Sequence, residues 1–248
     1  MDSEFTIRLA GLSVRVRLHH AENERFFEKF LTEPCADAPL AEVTPEELAA
    51  VLPQYPEGTL PAYAECSELA SRVSAALLPH GSCIFHGVAF LWRGKAWIYT
   101  APPGTGKTTQ YVLWKRRYGD EVGILNGDKP VLTFSDEGVI VSPSPWCGKE
   151  GMQVFRSAPL GGIVYLRQAR ENRMLRLAPA RVLQALLHQF LLPEHNSEAL
   201  CQALPLLERL LDSVPVWALA NRGDEASAVL CHDVIEQFLE VDHALSDS

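Results

Sequence analysis

The sequence predicts an α/β protein with a small α+β unit at its N-terminus, and three observations support this fold class. An apolar, aromatic segment at residues 96–100 directly precedes a glycine-rich run at 101–109. A helical pattern follows directly over 106–118. Alternating apolar residues over 5–18 predict a separate pair of short strands near the start of the chain.

A chain of 248 residues is long enough for one domain of moderate size with an appendage. We predict a small α+β appendage over residues 1–62 and a main domain over 63–248. In the appendage, Gly11 separates the two predicted strands, and residues 21–31 are predicted to form a short helix. A second helix is expected to begin with Thr44 as its N-cap, because a proline follows at the first helical position.

The main domain is predicted to alternate helices and strands. Residues 64–78 have the pattern of an amphipathic helix, and 82–92 are predicted to form one strand with His86 in its middle. Three residues are expected to form the packing face of the helix over 106–118: Tyr111, Val112 and Trp114. The other predicted elements are, in order, strands at 95–100 and 122–125, a hairpin of 131–134 with 138–142, a loop at 144–151, a strand at 160–166, helices at 179–193 and 197–213, a strand at 214–220 and a helix at 224–240.

Composition and charge disfavour several classes of function and of cellular location. The net charge of -9 disfavours a nucleic-acid binder and an anionic membrane surface as partner. The six cysteines form no C-x-x-C pair, so we expect free thiols in a reducing compartment. The N-terminus does not show the basic and apolar regions of a signal peptide, and no apolar stretch reaches the roughly 18–20 residues of a membrane span. We therefore predict a soluble, cytoplasmic protein.

The glycine-rich run has the features of a phosphate-binding P-loop. Its residues are Pro103, Gly104, Thr105, Gly106, Lys107, Thr108 and Thr109. Backbone N–H groups of such a loop, together with the following helix N-terminus, bind phosphate. Lys107 is predicted to bridge the β- and γ-phosphates of ATP, and the Thr108 hydroxyl to bind Mg²⁺. Ala101 replaces the usual first glycine, and the alternative is a glycine-rich turn with a solvated lysine.

A second Mg²⁺ ligand is predicted at Asp128. Proteins that use Mg²⁺ with a nucleotide commonly hold the ion with a carboxylate at the end of a strand near the phosphate loop. Asp128 follows an apolar run at residues 123–125, which fits that position. The alternative is an ordinary Asn-Gly turn that the aspartate caps.

Other candidates are weaker taken one at a time. His86 is either a satisfied core histidine or a catalytic group, and Lys149 is either solvated or able to reach a transferring phosphate. Trp146 is expected to anchor the loop before Lys149 by packing. Four arginines spaced by three residues would share one face if they were helical: Arg167, Arg170, Arg173 and Arg176.

The order of these motifs resembles the HPr kinase/phosphorylase family and the kinase core of ATP-type phosphoenolpyruvate carboxykinases. The resemblance covers about residues 60–180, and the run from Gly104 to Thr109 is its specific part, with support from His86 and the loop at 144–149. It implies a mixed, largely antiparallel sheet core with the nucleotide at one end. It also implies phosphoryl transfer to a hydroxyl such as that of a serine.

Carried onto this sequence, the resemblance implies that Lys107 and Thr108 serve phosphate and Mg²⁺ and that His86 lies near the transferring phosphate. It also implies that Asp128 belongs to a pair of carboxylates, although Gly127 stands where the second would be. In that case Asp128 is both the base and the metal ligand, or His86 supplies the base. The helix with which HPr kinases recognise HPr is not evident, so HPr is not the expected acceptor.

The sequence as a whole predicts an ATP-dependent kinase that phosphorylates a hydroxyl on a peptide, protein or small molecule. His86, Lys107, Asp128 and Lys149 are the predicted catalytic residues. Two alternatives remain: a nucleotide-binding regulatory or scaffold protein without transfer activity, which Gly127 favours, and a simple NTPase. Self-association into a homo-oligomer is left open.

Overall fold

The computed structural model describes residues 2–246, which form two sheets and seven α-helices. The strands are β1 (Ser3–Leu9), β2 (Leu12–Leu18), β3 (Leu40–Glu42), β4 (Ser82–Ile84), β5 (Val88–Trp92), β6 (Lys95–Thr100), β7 (Gly123–Asn126), β8 (Val131–Ser135), β9 (Gly138–Ser142), β10 (Ala158–Gln168), β11 (Arg173–Arg176) and β12 (Val216–Asn221). The helices are α1 (Glu24–Phe27), α2 (Pro45–Val51), α3 (Pro61–Leu77), α4 (Lys107–Tyr118), α5 (Pro179–Leu187), α6 (Ser197–Ser213) and α7 (Glu225–Ser246).

The N-terminal residues form a three-stranded sheet in the order β1-β2-β3. β1 and β2 form the predicted antiparallel hairpin, and β3 joins β2 in parallel. The helix predicted over 21–31 is the single turn α1 between two 3₁₀ turns. α2 begins as predicted, because the Thr44 hydroxyl accepts from Glu47 N at 3.2 Å while the Glu47 carboxylate accepts from Thr44 N at 2.9 Å.

α3 joins the N-terminal sheet to the larger sheet. One buried cluster contains Val16 from the N-terminal sheet, Val73 from α3, and Ile84 and Val131 from β4 and β8. The fully buried carboxylate of Glu65 on α3 also accepts hydrogen bonds from the backbone N–H groups of residues 19 and 20. The two parts of the chain therefore share one core, and a boundary at residue 62 stays a prediction.

The larger sheet is mixed and largely antiparallel. Its order is β4-β8-β9-β10-β6-β5-β7, and β12 and then β11 extend it from the other side of β10. β10 is the junction, because its first residues pair with β9 while the rest pair in parallel with β6 and β12. Every other pair in this sheet is antiparallel. The α/β class with a mixed sheet is confirmed.

Helices cover this sheet on both faces, and the strand residues alternate accordingly. In β5, Phe90 and Trp92 belong to the buried cluster that includes residues of α4 and α7, whereas Ala89 and Leu91 belong to the cluster that includes α5 and α6. Successive side chains of a strand point to opposite faces of the sheet, so they join different clusters when helices cover both faces. The glycine-rich segment leaves the sheet at the end of β6 and leads into α4, in one of these layers.

The single strand predicted over residues 82–92 is wrong. It is divided into β4, which pairs with β8, and β5, which pairs with β6 and β7, so that His86 lies between strands. The chain passes very close to β6 here, because a Cβ placed on Gly87 would lie 2.6 Å from Cγ2 of Ile98. Continuous apolar strands on either side concealed this break from pattern analysis.

Three local expectations also need correction. Val112 is 43% exposed and does not share the packing face of Tyr111 and Trp114. The helix predicted over 179–193 ends at Leu187, because the following residues bond to the segment around β4. The four spaced arginines are not helical. Arg167 lies in β10, Arg173 and Arg176 lie in β11, and Arg170 lies between the two strands. Because side chains alternate between the two faces of a strand, a spacing of three does not place these arginines on one face.

Within residues 2–246, no helix is long and apolar enough to cross a membrane. The six cysteines are free, and Cys83, Cys147 and Cys231 are buried.

Candidate functional site

The glycine-rich run forms a loop, residues 101–106, between β6 and α4. Gly104 and Gly106 have φ angles of +76° and +105°, which lie in the left-handed region that favours glycine. α4 begins at Lys107 immediately after this loop, and no side chain caps its N-terminus. The predicted order of strand, loop and helix is therefore present, and the first N–H groups of α4 have no partner within the helix.

The side chain of Lys107 is folded back over the loop and is 8% exposed. Its Nζ donates to the carbonyl oxygen of Ala101 at 2.8 Å and to that of Pro102 at 3.5 Å. Burial lowers the pKa of Lys107, and the negative charge of Asp128 opposes that shift. Because no carboxylate of the described residues is bonded to this ammonium, an anion in the loop would be a favourable partner.

Several polar groups of the loop are left without protein partners. The backbone N–H groups of residues 104–106 donate to no backbone carbonyl within the described part of the chain. The Thr108 side chain is half-buried and has no hydrogen bond to another described residue, while Thr109 is exposed. Such unused donors and a hydroxyl oxygen fit a bound phosphate and its cation.

Hydrogen bonds fix the backbone at the break between β4 and β5. His86 N donates to the Gln189 carbonyl oxygen at 2.7 Å, and Gly87 N donates to that of Asp128 at 2.8 Å. The Thr100 hydroxyl, at the end of β6, donates to the His86 carbonyl oxygen at 2.8 Å. The break thus places His86 beside both the start of the glycine-rich loop and Asp128.

His86, Asp128 and Lys129 form a charged group next to the loop. Nε2 of His86 lies 3.6 Å from Oδ1 of Asp128, and Nζ of Lys129 donates to Oδ2 of Asp128 at 2.6 Å. Burial, then the positive charges of Lys107 and Lys129, lower the pKa of His86 to about 4 against the opposing effect of Asp128. The imidazole is therefore neutral near pH 7, and two lysines flank one carboxylate.

The turn that carries Asp128 is held by an asparagine. Oδ1 of Asn126 accepts from Asp128 N at 3.0 Å and from Lys129 N at 2.8 Å, and its Nδ2 donates to the Ser144 carbonyl oxygen at 3.1 Å. Asn126, rather than Asp128, caps this turn. The carboxylate of Asp128 is consequently available to the side chains around it.

Gly127 has no room for a side chain. A Cβ built on it would lie 2.4 Å from the carbonyl oxygen of Cys147 and 3.2 Å from that of Met152. Real Cβ atoms do not approach backbone oxygen so closely, so a second carboxylate at this position requires the neighbouring loop to move. The packing of that loop therefore accounts for the glycine.

The loop after β9 packs over this turn and brings Lys149 to the protein surface. Trp146 is buried, and its Nε1 donates to the Cys66 carbonyl oxygen of α3 at 2.8 Å, so it anchors the loop by packing as expected. Gly148 approaches Asp128, since a Cβ on it would lie 3.6 Å from the Cβ of Asp128. Lys149 itself is exposed and bonds to no described side chain.

A crevice of about 370 Å³ lies beside the loop, between Pro103 and the end of β10. β6 and β10 are parallel, with Thr100 opposite Tyr165, so residues 166–168 continue past the end of β6 next to the loop. Arg167 lines this crevice together with the loop residues 102–105. Ligands of α/β proteins commonly occupy such a crevice at the carboxyl ends of parallel strands.

The residues therefore fit Mg²⁺ only as a cation shared with a bound phosphate. Within residues 2–246, no cluster of three or more His, Cys, Asp or Glu is placed to hold a metal ion. Thr108 and Asp128 supply protein oxygens, and Mg²⁺ commonly takes one or two carboxylates with the remaining ligands from substrate phosphates and water. Lys129 on Asp128 would have to release the oxygen that it occupies.

The structure brings together Lys107, His86 and Asp128, and it leaves Lys149 outside this group. Sequence reasoning missed three residues that shape the site: Lys129, Asn126 and Gln189. The Asn-Gly pair before Asp128 was a usable signal for the cap at Asn126. Gln189 had no local signal, because it reaches His86 only through the fold.

Comparisons with known proteins add little to this geometry. No family model matches the chain, and no curated protein matches it. One solved structure that matches is the Hpr(Ser) kinase/phosphatase from Coxiella burnetii, with 13% identity and a TM-score of 0.29. That match covers 51% of this chain and 90% of the other. At this level of similarity, the family resemblance stays a prediction.

Proposed function

We propose that this protein binds a nucleoside triphosphate with Mg²⁺ and transfers the γ-phosphoryl group to a hydroxyl acceptor. The observation that carries the proposal is the juxtaposition of a glycine-rich loop with a buried lysine and a His–Asp pair 3.6 Å apart. Backbone N–H groups, a cation and a carboxylate are the groups that phosphoryl transfer uses for positioning and charge neutralisation. ATP is the nucleotide we propose to test first.

Residues 104–106 and the first turn of α4 would hold the phosphates through backbone N–H groups. Lys107 would exchange its bonds to the Ala101 and Pro102 carbonyls for bonds to phosphate oxygens, which are stronger because they join opposite charges. Thr108 and Asp128 would hold Mg²⁺, which when bound neutralises charge on the phosphates. Arg167 lines the crevice in which the rest of the nucleotide would lie.

The acceptor hydroxyl would be oriented by Asp128 and the neutral ring of His86. A neutral imidazole can accept a proton, and so can a carboxylate. Because the pKa of His86 is about 4, its basicity is close to that of an ordinary carboxylate. The proton of the acceptor would pass to one of these two groups, which lie 3.6 Å apart. Lys129 would release its oxygen of Asp128 when that carboxylate binds Mg²⁺.

A regulatory protein that binds nucleotide without transferring phosphate is the second candidate. Lys129 favours it, because the contact of 2.6 Å between its Nζ and Asp128 occupies a carboxylate oxygen that Mg²⁺ would need. Gly127, which suggested the same conclusion from the sequence, is accounted for by packing instead.

The test is calorimetric titration with ATP–Mg²⁺, combined with measurement of γ-phosphate release and of transfer to a cell extract as acceptor pool. We expect Lys107→Ala to weaken ATP binding at least about tenfold, which corresponds to about 1.4 kcal/mol. Asp128→Asn should retain much of the affinity for ATP and lower the rate of γ-phosphate transfer by roughly 10²–10⁴-fold. Arg116→Ala, an exposed change on the same helix, is the matched control.

Binding without transfer or hydrolysis would support the regulatory candidate. Hydrolysis without any labelled acceptor would support an NTPase. If wild type does not bind ATP–Mg²⁺ or another nucleoside triphosphate, the proposal fails.

A further inference from the structure

A second cavity, of about 460 Å³, lies where the N-terminal sheet meets the segment leading into β10. Arg8, Lys29 and Phe30 line it from the N-terminal side, and Phe155 and Arg156 line it from the other. We call this cavity the basic groove. It is open along the surface, and none of the described residues that line it is acidic.

The positive charges of the basic groove are not neutralised by the protein. Arg8, Lys29 and Arg156 are exposed and form no ion pair with any residue in the described part of the chain. By contrast, Arg15 and Arg17 on the neighbouring strand both pair with Glu4. In a chain with a net charge of -9, three unpaired cations around one concavity favour an anionic ligand.

The groove also offers apolar contact area. The rings of Phe30 and Phe155 lie 5.2 Å apart between centroids, and Nζ of Lys29 lies 5.9 Å from the Phe155 ring centroid. Phe155 is nevertheless 55% exposed. Exposed aromatic residues beside arginines are characteristic of surfaces that bind protein segments, and they predict that the ligand has an apolar side chain as well as negative charge.

The basic groove reaches the loop that packs over Asp128, because Ser142 and Pro143, which lead into that loop, line the groove. The backbone oxygen of Cys147 closes over Gly127, beside Asp128. A ligand that extends from the groove along this loop would therefore run toward the His86–Asp128 pair.

We propose that the basic groove binds an acidic peptide segment with a large apolar side chain, and that this segment belongs to the acceptor. The second part rests on the proposed function. An enclosed pocket buries most of a small ligand, whereas an open groove suits a chain that continues at both ends. Acidic side chains would pair with Arg8 and Arg156, and the apolar one would pack on the exposed face of Phe155.

Fluorescence anisotropy of a labelled synthetic peptide, rich in Asp and Glu with one Phe and one Ser, tests the binding without nucleotide. We expect saturable binding that weakens as salt increases, because charges at an exposed surface are screened. The double variant Arg8→Glu with Arg156→Glu should weaken binding at least tenfold, and Phe155→Ala several-fold. The double variant Arg116→Glu with Arg181→Glu, which makes the same charge change at exposed positions of α4 and α5, should leave binding unchanged. Thermal unfolding should show that each variant is folded.

Equal affinity for a peptide with Lys in place of Asp and Glu would overturn the proposal, and so would unchanged binding by the groove variants. Self-association that Phe155→Ala abolishes would also overturn it, because a second copy would then cover the groove. Since the assay contains no ATP, peptide binding can succeed where nucleotide binding fails. If both succeed, transfer to the serine of the bound peptide, reduced by the groove variants, identifies the segment as part of the acceptor.

Discussion

At the scale of single residues, the charges at the site depend on burial more than on residue type. In the sequence, His86 is an ordinary histidine in an apolar stretch, and it can be interpreted either as a core residue or as a catalytic residue. The fold buries it beside Lys107 and Lys129, and this lowers its pKa to about 4. The neutral ring of His86 and the lowered pKa of Lys107 thus result from burial and from charged neighbours in other segments of the chain.

This shift predicts a pH dependence of stability. Between about pH 6.5 and pH 4 the unfolded state binds a proton at His86 that the folded state does not, so the free energy of unfolding decreases as the pH falls through this window. The loss approaches roughly 3 kcal/mol at about 1.4 kcal/mol per pH unit. Urea unfolding of wild type and His86→Gln from pH 7 to pH 4 measures it as the difference between the two proteins.

Wild type should lose more stability than His86→Gln as the pH falls. Exposed His188, replaced by Gln, is the control and should follow wild type. Parallel curves for wild type and His86→Gln would show that the environment of His86 does not disfavour its charged form.

At the scale of elements, the sequence located most helices and strands because their patterns are local. The capping box at Thr44 and the hairpin of β8 and β9 are local signals of this kind. The strand through His86 was predicted wrongly because two strands with different partners follow each other almost without a gap. The exclusion of a side chain at Gly127 depends on a loop twenty residues further along, which no local pattern reports.

Gly127→Ala should therefore destabilise the protein by roughly 2–3 kcal/mol, because the new methyl group would overlap the Cys147 carbonyl oxygen and the loop would have to shift. Chemical denaturation measures this change. Gly123→Ala is the control, since its nearest contact is a side-chain carbon of Leu91 at 3.2 Å, which can move. Equal costs for the two substitutions would contradict the tight packing inferred at Gly127.

At the scale of the whole molecule, the N-terminal sheet and the larger sheet share a core across α3. Leu69 and Val73 of α3 are fully buried in it, and so is the carboxylate of Glu65, which bonds to backbone N–H groups of the N-terminal residues. Trp146, from the loop over Asp128, belongs to the same core. The N-terminal unit therefore supports the loop that packs against the candidate site.

A chain that begins at residue 61 should not reach the stability of the full chain. It would expose the apolar face of α3 and leave Glu65 without these backbone donors, and losing the partners of one buried charge costs about 3–5 kcal/mol. Circular dichroism and binding of a hydrophobic dye measure the effect, with the full chain as control. A monomeric fragment with the same melting temperature as the full chain would show that the two parts fold independently.

The sequence by itself determined the α/β class, the strand–loop–helix unit at residues 101–109, most element positions and the choice of Lys107 and Asp128 as candidate site residues. These follow from periodicity, glycine positions and turn residues, which act over a few neighbours. Only the tertiary structure decided that His86 leaves the sheet, that Lys129 contacts Asp128 and Gln189 contacts His86, that Gly127 excludes a side chain and that a basic groove forms next to the N-terminal sheet. Each of these depends on segments far apart in the chain that meet only in the folded core, so no local pattern encodes them.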